Sequence, residues 1–306
     1  MIELKSFAKI NLGLEIYGKR EDGYHNLRTI FQTINIFDTI KIKYKNCEGI
    51  NLNGTDPSIG WKEDNSIFKA FKIVKRNYGL KCGFEIFVEK KIPPGSGLGG
   101  GSSNAAVFLL FLNEYFKLDL SLKDLIKIGK EIGADVPFFL VGGTILAEGI
   151  GEELFLLDDI EERFIGVVIP DIKVSTSSIF SKFSLTSTQF ESKINIFCKS
   201  ENFAVLENNL EKVTFRLFPE IKRIKDKMLS LGCEFVLMSG SGSSVYCLLN
   251  DKNISDLKRE FPNMIITQNI SRDYYLKNIG AWPSGKAPVF GAGIRRFESS
   301  RPRGLK

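Results

Sequence analysis

The segment from Lys90 to Ala106, KKIPPGSGLGGGSSNAA, is the most informative part of the chain. It follows a predicted strand, places five glycines in positions 95–101, and continues through Ser102 and Ser103 into an apolar helical pattern. Glycines allow several backbone N–H groups to converge on one anion. The start of the following helix adds unpaired N–H donors and the positive end of the helix dipole. The segment therefore predicts a phosphate-binding loop.

Two other interpretations of this loop fit its surroundings less well. Gly95, Gly97 and Gly100 match the G-x-G-x-x-G pattern of dinucleotide-binding folds. That pattern normally lies in the first βα unit of its domain, whereas here several strands and a helix are predicted before it, and the chain has no G-K-[ST] P-loop. The second interpretation, a tight helix-entry turn, needs only one glycine. Phosphate binding remains the favoured prediction.

Patterns on both sides of the loop predict alternating strands and helices. Up to residue 160 these are a strand at 2–16, two strands within 29–44 separated near Asp38, a helix capped by Asn65 or Ser66 that ends near Tyr78, a strand at 84–89, a helix at 105–116, a helix capped by Ser121 and Asp124, and a strand at 144–147. Later elements are a strand at 164–169, a Ser/Thr-rich segment at 175–188, helices near 203–211 and 219–230, strands at 234–238, 244–249 and 264–268, and a helix before the last strand.

The length of the chain, 306 residues, exceeds the usual size of a single core. We therefore expect two packed α+β domains, at 1–160 and 161–279, with a cleft between them. No stretch approaches the roughly 18 apolar residues of a membrane span. The first strand pattern begins without a basic and apolar leader, so we expect a cytoplasmic protein.

Cysteine spacing and charge argue against two further classes of protein. The five cysteines are widely spread without a C-x-x-C pair, which predicts reduced thiols and no zinc site. The net charge of +6 is concentrated in residues 280–306, which contain six Lys or Arg and one Glu. The remaining chain is nearly neutral and predicts no binding of nucleic acid.

Four segments together resemble the GHMP small-molecule kinases. The loop is similar to their P-x-x-x-G-L-G-S/G-S-S motif. The other three segments resemble one branch of this family, the 4-diphosphocytidyl-2-C-methyl-D-erythritol kinases. They are Ala8 to Leu12 (AKINL) followed by Gly18 to His25 (GKREDGYH), Gly133 to Phe139 (GADVPFF), and Met238 to Ser244 (MSGSGSS). The combination is far more specific than any one segment.

The resemblance implies a fold and a reaction. The fold is an N-terminal, ATP-binding domain of the ribosomal-S5 type with a left-handed βαβ unit, followed by a ferredoxin-like C-terminal domain. The reaction transfers the γ-phosphate of ATP to the 2-hydroxyl of 4-diphosphocytidyl-2-C-methyl-D-erythritol, in the non-mevalonate pathway to isoprenoid precursors. The partner is thus a small molecule carrying a cytidine diphosphate group. Phosphate chemistry implies Mg²⁺, for which the sequence identifies no acidic ligand. A monomer or weak homodimer is expected.

Lys9 and Asp135 are the candidate catalytic residues. Asp135 lies in an apolar run, where a carboxylate is costly unless a cation is near. Lys9 is a similar exception in the first strand, and the resembled family pairs these two positions at the reacting hydroxyl. Our hypothesis is that Asp135 accepts or orients the hydroxyl proton while Lys9 fixes the carboxylate and offsets phosphoryl charge. A helix-capping Asp135 and a solvent-reaching Lys9 are the alternatives.

The resemblance also implies contacts with ATP. These involve Pro94, Gly95, Ser96, Gly97, Leu98, Gly99, Gly100, Gly101, Ser102, Ser103, Asn104 and Asn65. The hydroxyls of Ser102 and Ser103 are expected to cap the helix or to reach a magnesium-bound phosphate. Asn65 could serve only as a helix cap.

Aromatic side chains are expected to hold the cytosine. His25 is the only histidine and follows Tyr24 in a polar turn, so we do not expect it in a packed core. Such a ring pair can stack on a nucleobase. The resemblance places cytosine at these positions and matches a second aromatic contact to Phe180, which could equally be a core residue. By the same analogy, Asn11 and Thr176 contact the substrate.

Gly240 and Gly242 lie in a turn between two predicted strands. This turn is either a plain hairpin or, in a two-domain kinase, a source of N–H groups for substrate phosphates.

Two alternative functions differ in features of the sequence. Another GHMP kinase would act on homoserine, mevalonate or a sugar, none of which carries a base for Tyr24 and His25 to hold. A catalytically silent nucleotide-binding regulator would not need both Lys9 and Asp135.

The tail from residue 280 to 306 differs abruptly in composition, being rich in Gly, Pro, Ala and Arg. Residues 296–299 can be encoded by CGG TTC GAA TCC, which contains the T-arm sequence of transfer-RNA genes. Our hypothesis is that the reading frame continues into a neighbouring tRNA gene, and genomic DNA without such a gene would reject it. The alternative is a basic tail for an acidic surface. In either case we predict a disordered, dispensable tail outside the family's fold.

Overall fold

The computed structural model describes residues 1–46, 48–184 and 191–280, together with the backbone of residues 295–296. The first domain contains β1 (Ile2–Lys19), β2 (His25–Lys45), β3 (Gly49–Gly54), α1 (Ser66–Tyr78), β4 (Gly83–Glu89), α2 (Gly100–Tyr115), α3 (Leu122–Ile132), α4 (Val136–Phe139), β5 (Thr144–Glu148) and β6 (Glu153–Leu156). β1 and β2 pair antiparallel along nearly their whole lengths, and β2 also pairs with β4 and β5. β3 pairs parallel to β4 through α1, which forms the expected βαβ unit.

The prediction that β2 would be two strands separated near Asp38 is wrong. The strand is continuous, and Asp38 lies inside it, fully buried. Its carboxylate accepts hydrogen bonds from the N–H groups of Lys91 (2.7 Å) and Ile92 (2.9 Å) and pairs with the ammonium group of Lys90. The buried charge is thus satisfied within the strand and does not mark a turn.

The helices of the first domain cover one face of its sheet. Phe84 of β4 is fully buried and makes edge-to-face ring contacts with Phe71, Phe108 and Phe111. α2 begins at Gly100, whereas the apolar pattern predicted its start at Ala105. The difference arises because glycines and serines fill the first turn of the helix, where the apolar pattern gives no signal.

The second domain has a four-stranded antiparallel sheet. Its elements are β7 (Phe164–Val168), α5 (Thr176–Ser181), α6 (Lys193–Ser200), a 3₁₀ turn (Phe203–Val205), α7 (Glu211–Leu217), α8 (Pro219–Ser230), β8 (Val236–Met238), β9 (Val245–Leu248), α9 (Ile254–Glu260), β10 (Ile265–Gln268) and α10 (Arg272–Asn278). The strand order β10-β7-β9-β8, with helices after β7 and β9, is the ferredoxin-like arrangement that the sequence predicted.

Short helices account for the errors in this half. The helix expected at 203–211 is a 3₁₀ turn followed by an extended segment, and α7 begins only at Glu211. The short helices α6 and α10 were not predicted.

The end of the described chain returns to the first domain. Tyr275 of α10 is buried, and its hydroxyl donates to the carbonyl of Phe139. The N–H of Lys5 donates to the carbonyl of Ile279 at 2.8 Å. α10 therefore packs with the domain from which it is most distant in sequence. The boundary proposed near residue 160 lies between β6 and β7.

Little of the tail falls within the described residues. The backbone of residues 295–296, β11 (Arg295–Arg296), pairs parallel to β6 at Phe155 and Leu156. The rest of residues 281–306 lies outside the described part, so disorder there remains a prediction.

The described residues include no membrane-spanning helix, and their cysteines form no disulfide bonds. None of the described helices combines the length and the apolar character needed to cross a bilayer. Cys82, Cys198, Cys233 and Cys247 are free thiols, and Cys47 lies outside the described residues. In this part of the chain no group of three or more His, Cys, Asp or Glu side chains is placed to hold a metal.

Candidate active site

A cavity of about 420 Å³ lies between the two domains. Its walls are the glycine-rich loop, the start of α1, the middle of β1, the first part of β2, the turn before α4, the helix α5, and the turn between β8 and β9. The predicted site residues that line it are Lys9, Asn11, Asn65, Pro94, Gly95, Ser96, Gly97, Gly99, Gly100, Gly101, Ser102, Asn104, Asp135, Thr176, Phe180 and Gly240. Folding thus brings segments from both halves of the chain to one cleft.

The glycines of the loop are required by conformation and by close packing. Gly97 and Gly99 have φ angles of 79° and 73°, in the left-handed region that favours glycine. A Cβ on Gly97 would overlap the carbonyl oxygen of Ser239, and one on Gly99 would lie 2.8 Å from the ring of Phe139. The loop is therefore held in one shape by both domains.

The loop and the first turn of α2 offer free N–H groups to the cleft. Gly99 is the N-cap of α2, and the helix has no side-chain cap. Among the described residues, no group accepts a hydrogen bond from the N–H of Gly99, Gly100 or Gly101. Unpaired donors at a helix N-terminus, with the helix dipole behind them, form an anion site.

Two side chains of the loop do not face the cleft, contrary to expectation. The Ser103 hydroxyl is fully buried and accepts a hydrogen bond from the hydroxyl of Ser6 at 2.8 Å, so it neither caps α2 nor reaches a bound phosphate. The Leu98 side chain is buried, and its carbonyl accepts from the N–H of Lys9 at 3.0 Å. Ser102 lines the cavity.

A buried polar network anchors both ends of the loop. The Asn104 amide donates to the carboxylate of Asp38 at 3.0 Å and to the hydroxyl of Ser6 at 2.8 Å. The ammonium group of Lys90, which pairs with Asp38, lies 3.3 Å from the side-chain oxygen of Asn104. Removing either Asp38 or Lys90 would leave an uncompensated buried charge next to the loop and should be strongly destabilising. Neither Asp38 nor Lys90 was predicted as a site residue.

Lys9 and Asp135 meet at the floor of the cavity, with 3.7 Å between the Lys9 Nζ and Asp135 Oδ2 atoms. The side chain of Lys9 is only 4% exposed, which excludes a solvent-reaching role, whereas that of Asp135 is 33% exposed. Asp135 precedes α4 but makes no capping hydrogen bond. Burial lowers the pKa of Lys9, and the nearby Asp135 carboxylate opposes that shift.

Asn11 holds the lysine from the other side. The Lys9 ammonium donates to the side-chain oxygen of Asn11 at 2.6 Å, and the Asn11 amide donates to the hydroxyl of Thr29 at 2.8 Å. A Cβ on Gly240 would lie 3.2 Å from the Asn11 oxygen and 3.6 Å from the Lys9 nitrogen. The second domain therefore packs directly against Lys9 and Asn11.

Comparisons with known proteins agree with this geometry. The chain matches the families described as GHMP kinases N terminal domain, over residues 65–143, and GHMP kinases C terminal, over residues 190–266. It is 38% identical over 281 residues to the 4-diphosphocytidyl-2-C-methyl-D-erythritol kinase of Clostridium beijerinckii, covering 88% of this chain and 100% of that protein. It is 39% identical over 258 residues to the enzyme of the same name from Caldicellulosiruptor bescii, covering 82% and 90%. This chain belongs to the 4-diphosphocytidyl-2-C-methyl-D-erythritol kinase family.

Solved structures give the same fold. A crystal structure of 4-(cytidine 5'-diphospho)-2C-methyl-D-erythritol kinase superposes with a TM-score of 0.75 at 32% identity, covering 87% of this chain and 98% of that one. A homoserine kinase from Cytophaga hutchinsonii has a TM-score of 0.67 at 17% identity, covering 88% and 95%, and shows the shared fold alone.

In this family member, the placement of His25 differs from the prediction. His25 is packed, with 7% exposure, and its ring lies 5.7 Å from that of Phe180 and 5.8 Å from that of Phe183. Burial, and then the charge of Lys19, lowers its pKa. Tyr24 is 60% exposed, and of these aromatic residues only Phe180 lines the cavity. Local sequence patterns do not reveal this packing, because Phe180 and Phe183 are distant from His25 along the chain.

Of the two glycines predicted as site residues in the turn between β8 and β9, one lines the cavity. Gly240 lines the cavity, whereas Gly242 does not, and its N–H donates to the carbonyl of Ser239 at 2.9 Å. Ser241, which was not predicted, lines the cavity, and its hydroxyl is 2.9 Å from that of Thr176.

Asn65 caps α1 and also borders the cavity of the kinase. Its side-chain oxygen accepts from the N–H of Ile67 at 3.0 Å, and its amide donates to the carbonyl of Gly60 at 3.2 Å. The neighbouring Trp61 lines the same end of the cavity and was missed. The position of Trp61, four residues before the Asn65 cap, could have indicated that it lies near the same end of the cavity.

Proposed function

We propose that this protein transfers the γ-phosphate of ATP to the 2-hydroxyl of 4-diphosphocytidyl-2-C-methyl-D-erythritol, a step toward isoprenoid precursors by the non-mevalonate route. The observation that carries the proposal is the Lys9–Asp135 pair, which lies in the same cavity as a loop of unpaired N–H groups. The names of the curated relatives support the choice of acceptor.

Asp135 orients the acceptor hydroxyl and receives its proton. Its carboxylate is partly exposed to the cleft, while the buried ammonium group of Lys9 holds it in place. Because phosphoryl transfer has a loose transition state in most analyses, the main task of the base is to align the hydroxyl with the phosphorus atom. Lys9 also offsets negative charge that develops on the transferring group.

The loop binds the phosphates of ATP through backbone N–H groups. Gly99, Gly100 and Gly101 supply donors without an acceptor among the described residues, at the positive end of α2. Bound together with the nucleotide, Mg²⁺ would supply positive charge that offsets the charge of the phosphates. The described residues offer no acidic cluster for it, so the Ser102 hydroxyl and the Asp135 carboxylate are the oxygen donors that would assist.

Phe180 contacts the cytosine of the acceptor and is supported by His25. A neutral histidine ring can donate one hydrogen bond and accept another, as recognition of a base edge requires. The lowered pKa of His25 favours that neutral form.

A direct assay tests the proposed function. Purified protein is given Mg²⁺–ATP with 4-diphosphocytidyl-2-C-methyl-D-erythritol, homoserine or mevalonate, and ADP release is followed. We expect turnover only with the cytidylyl acceptor and inhibition by CDP. Turnover on homoserine or mevalonate, but not on the cytidylyl acceptor, would reject the proposal.

A further inference from the structure

The segment from Glu207 to Thr214 connects the catalytic strand with the turn between β8 and β9. On one side, the N–H of Leu14 in β1 donates to the carbonyl of Glu207 at 2.8 Å, and the N–H of Asn209 donates to the carbonyl of Leu14 at 2.9 Å. The Asn209 side-chain oxygen accepts from the N–H of Ile16 at 2.8 Å. The segment is therefore fixed to the strand that carries Lys9.

On the other side, Asn208 holds the backbone of the turn. It is 3% exposed, and its amide nitrogen donates to the carbonyls of Met238 (2.8 Å) and Gly240 (2.7 Å). Its side-chain oxygen accepts from the N–H of Leu210 at 2.9 Å. The amide of Asn208 thus uses both of its N–H donors and its oxygen acceptor. An amide turned by about 180° would not satisfy these three backbone groups.

The bond to Gly240 sets the direction of a free donor. In a trans peptide the C=O and N–H bonds point in opposite directions. When Asn208 holds the Gly240 carbonyl, the N–H of Ser241 must point away from Asn208. Ser241 lines the cavity, and within the described part of the chain its N–H has no acceptor. Thr214 adds a second restraint by donating to the Ser241 carbonyl at 3.1 Å.

We infer that Asn208 is a positioning residue for the acceptor's phosphate groups. It aims the Ser241 N–H into the cleft and keeps Gly240 packed against the Lys9–Asn11 pair. The inference rests on the proposed function, since the anion concerned is the diphosphate of the acceptor. Asn208 acts through the turn, does not line the cavity, and is separated from Lys9 by nearly 200 residues in the sequence.

The test compares Asn208→Ala and Asn208→Asp with the unaltered protein. Asn208→Ala removes the amide nitrogen that donates to the two carbonyls. Asn208→Asp replaces that nitrogen by an oxygen, which can only accept hydrogen bonds and therefore repels the same carbonyls. We expect the Kd for CDP, measured by calorimetry, and the KM for the cytidylyl acceptor to rise about 10- to 100-fold, because buried groups lose hydrogen bonds that fix a phosphate donor. The KM for ATP should change less than about threefold, in keeping with a role confined to the acceptor.

Asn253→Ala is the matched control. Asn253 is a buried asparagine of the same domain that donates to the carbonyl of Gly232 and has no contact with the cleft. It should lower the melting temperature without changing CDP affinity. Equal loss of CDP affinity in the Asn253 and Asn208 variants would overturn the inference, as would unchanged affinity in the Asn208 variants.

Two further outcomes keep the inference and the proposed function apart. If the Asn208 variants do not fold, Thr214→Val removes the second restraint at nearly constant volume. Weaker CDP binding would then support the inference, and unchanged binding would reject it. If the unaltered protein does not turn over the cytidylyl acceptor, the proposed function is rejected. If it does, and the Asn208 variants bind CDP with unchanged affinity, only the positioning role is rejected.

Discussion

At the scale of single residues, Asp135 is the group whose chemistry is easiest to isolate. Asp135→Asn keeps the shape of the side chain and removes its charge and basicity. We expect kcat to fall about 10²- to 10⁴-fold, the range typical for loss of a general base, with little change in the KM for ATP. ADP release measures kcat.

The matched control for that variant is Asp226→Asn. Asp226 forms an exposed ion pair with Lys222 on α8, and exposed pairs contribute little to stability. Its activity should equal that of the unaltered protein. Kinetic assays of this kind are precise to about twofold. An Asp135→Asn variant whose kcat lies within that range of the normal value would contradict the assigned role.

His25 gives stability a pH dependence of predictable sign. Burial lowers its pKa from the ordinary value of 6.5, so the unfolded chain binds a proton more readily than the folded protein. The stabilisation is complete above the unfolded pKa and is lost as the pH falls through the folded pKa. In His25→Gln, the free energy of unfolding should therefore decrease less between pH 7.5 and pH 5.5, as measured by urea denaturation. An unchanged pH dependence would contradict this assignment.

The prediction that His25 would not be packed is wrong for a physical reason. Its polar neighbours in the chain indicated an exposed turn, but its burial is produced by Phe180 and Phe183, which reach it only after the second domain packs. Lys9 and Asp135 were easier to recognise, because each is a charge within an apolar run and the resembled family pairs the two positions.

At the scale of elements, the glycine-rich loop is the part most sensitive to a single methyl group. Gly97→Ala would place a Cβ on the Ser239 carbonyl and force a residue with φ of 79° into an unfavourable region. We expect the KM for ATP to rise at least about tenfold and the free energy of unfolding to fall by about 1–3 kcal/mol. Kinetics and thermal melting measure the two effects.

Gly60→Ala is the control for Gly97→Ala. A Cβ at Gly60 would meet no atom within 4 Å, and the residue lies outside the left-handed region. This variant should bind ATP normally and unfold at the usual temperature. If Gly97→Ala behaved in the same way, the close packing of the loop on the second domain would not matter for nucleotide binding.

Local signals explain which elements the sequence predicted correctly. The Asn65 cap and the box of Ser121 and Asp124 are read from residues within one helical turn, and both form as predicted. The continuity of β2 was missed because Asp38 is satisfied by Lys90 and Asn104, which lie beyond it by 52 and 66 positions. Sequence patterns do not reveal such partners before the topology is known.

At the scale of the whole molecule, the domains do not follow the order of the chain. α10 and Ile279 complete the core of the first domain, so the fold needs the chain at least as far as Gly280, which bridges to Leu4. In the described residues, the tail beyond it adds only the short β11–β6 pairing.

Removal of residues 281–306 should therefore leave the protein intact. We expect kcat to be unchanged and the melting temperature to stay within about 2 °C, since the tail is predicted to lie outside the family's fold. Calorimetry and the ADP assay provide the measurements. A decrease of more than about 4 °C would show that the β11–β6 pairing stabilises the first domain appreciably.

The contact between Gly97 and Ser239 has a consequence for how ATP and the acceptor affect each other's binding. It joins the glycine-rich loop of the first domain, where we propose that ATP binds, to the β8–β9 turn of the second domain, where we propose that the acceptor binds. If ATP shifts this contact and so tightens acceptor binding, thermodynamic linkage requires the acceptor to tighten ATP binding by the same factor. The two affinities are then properties of a shared equilibrium, and each has a definite value only when the concentration of the other ligand is stated.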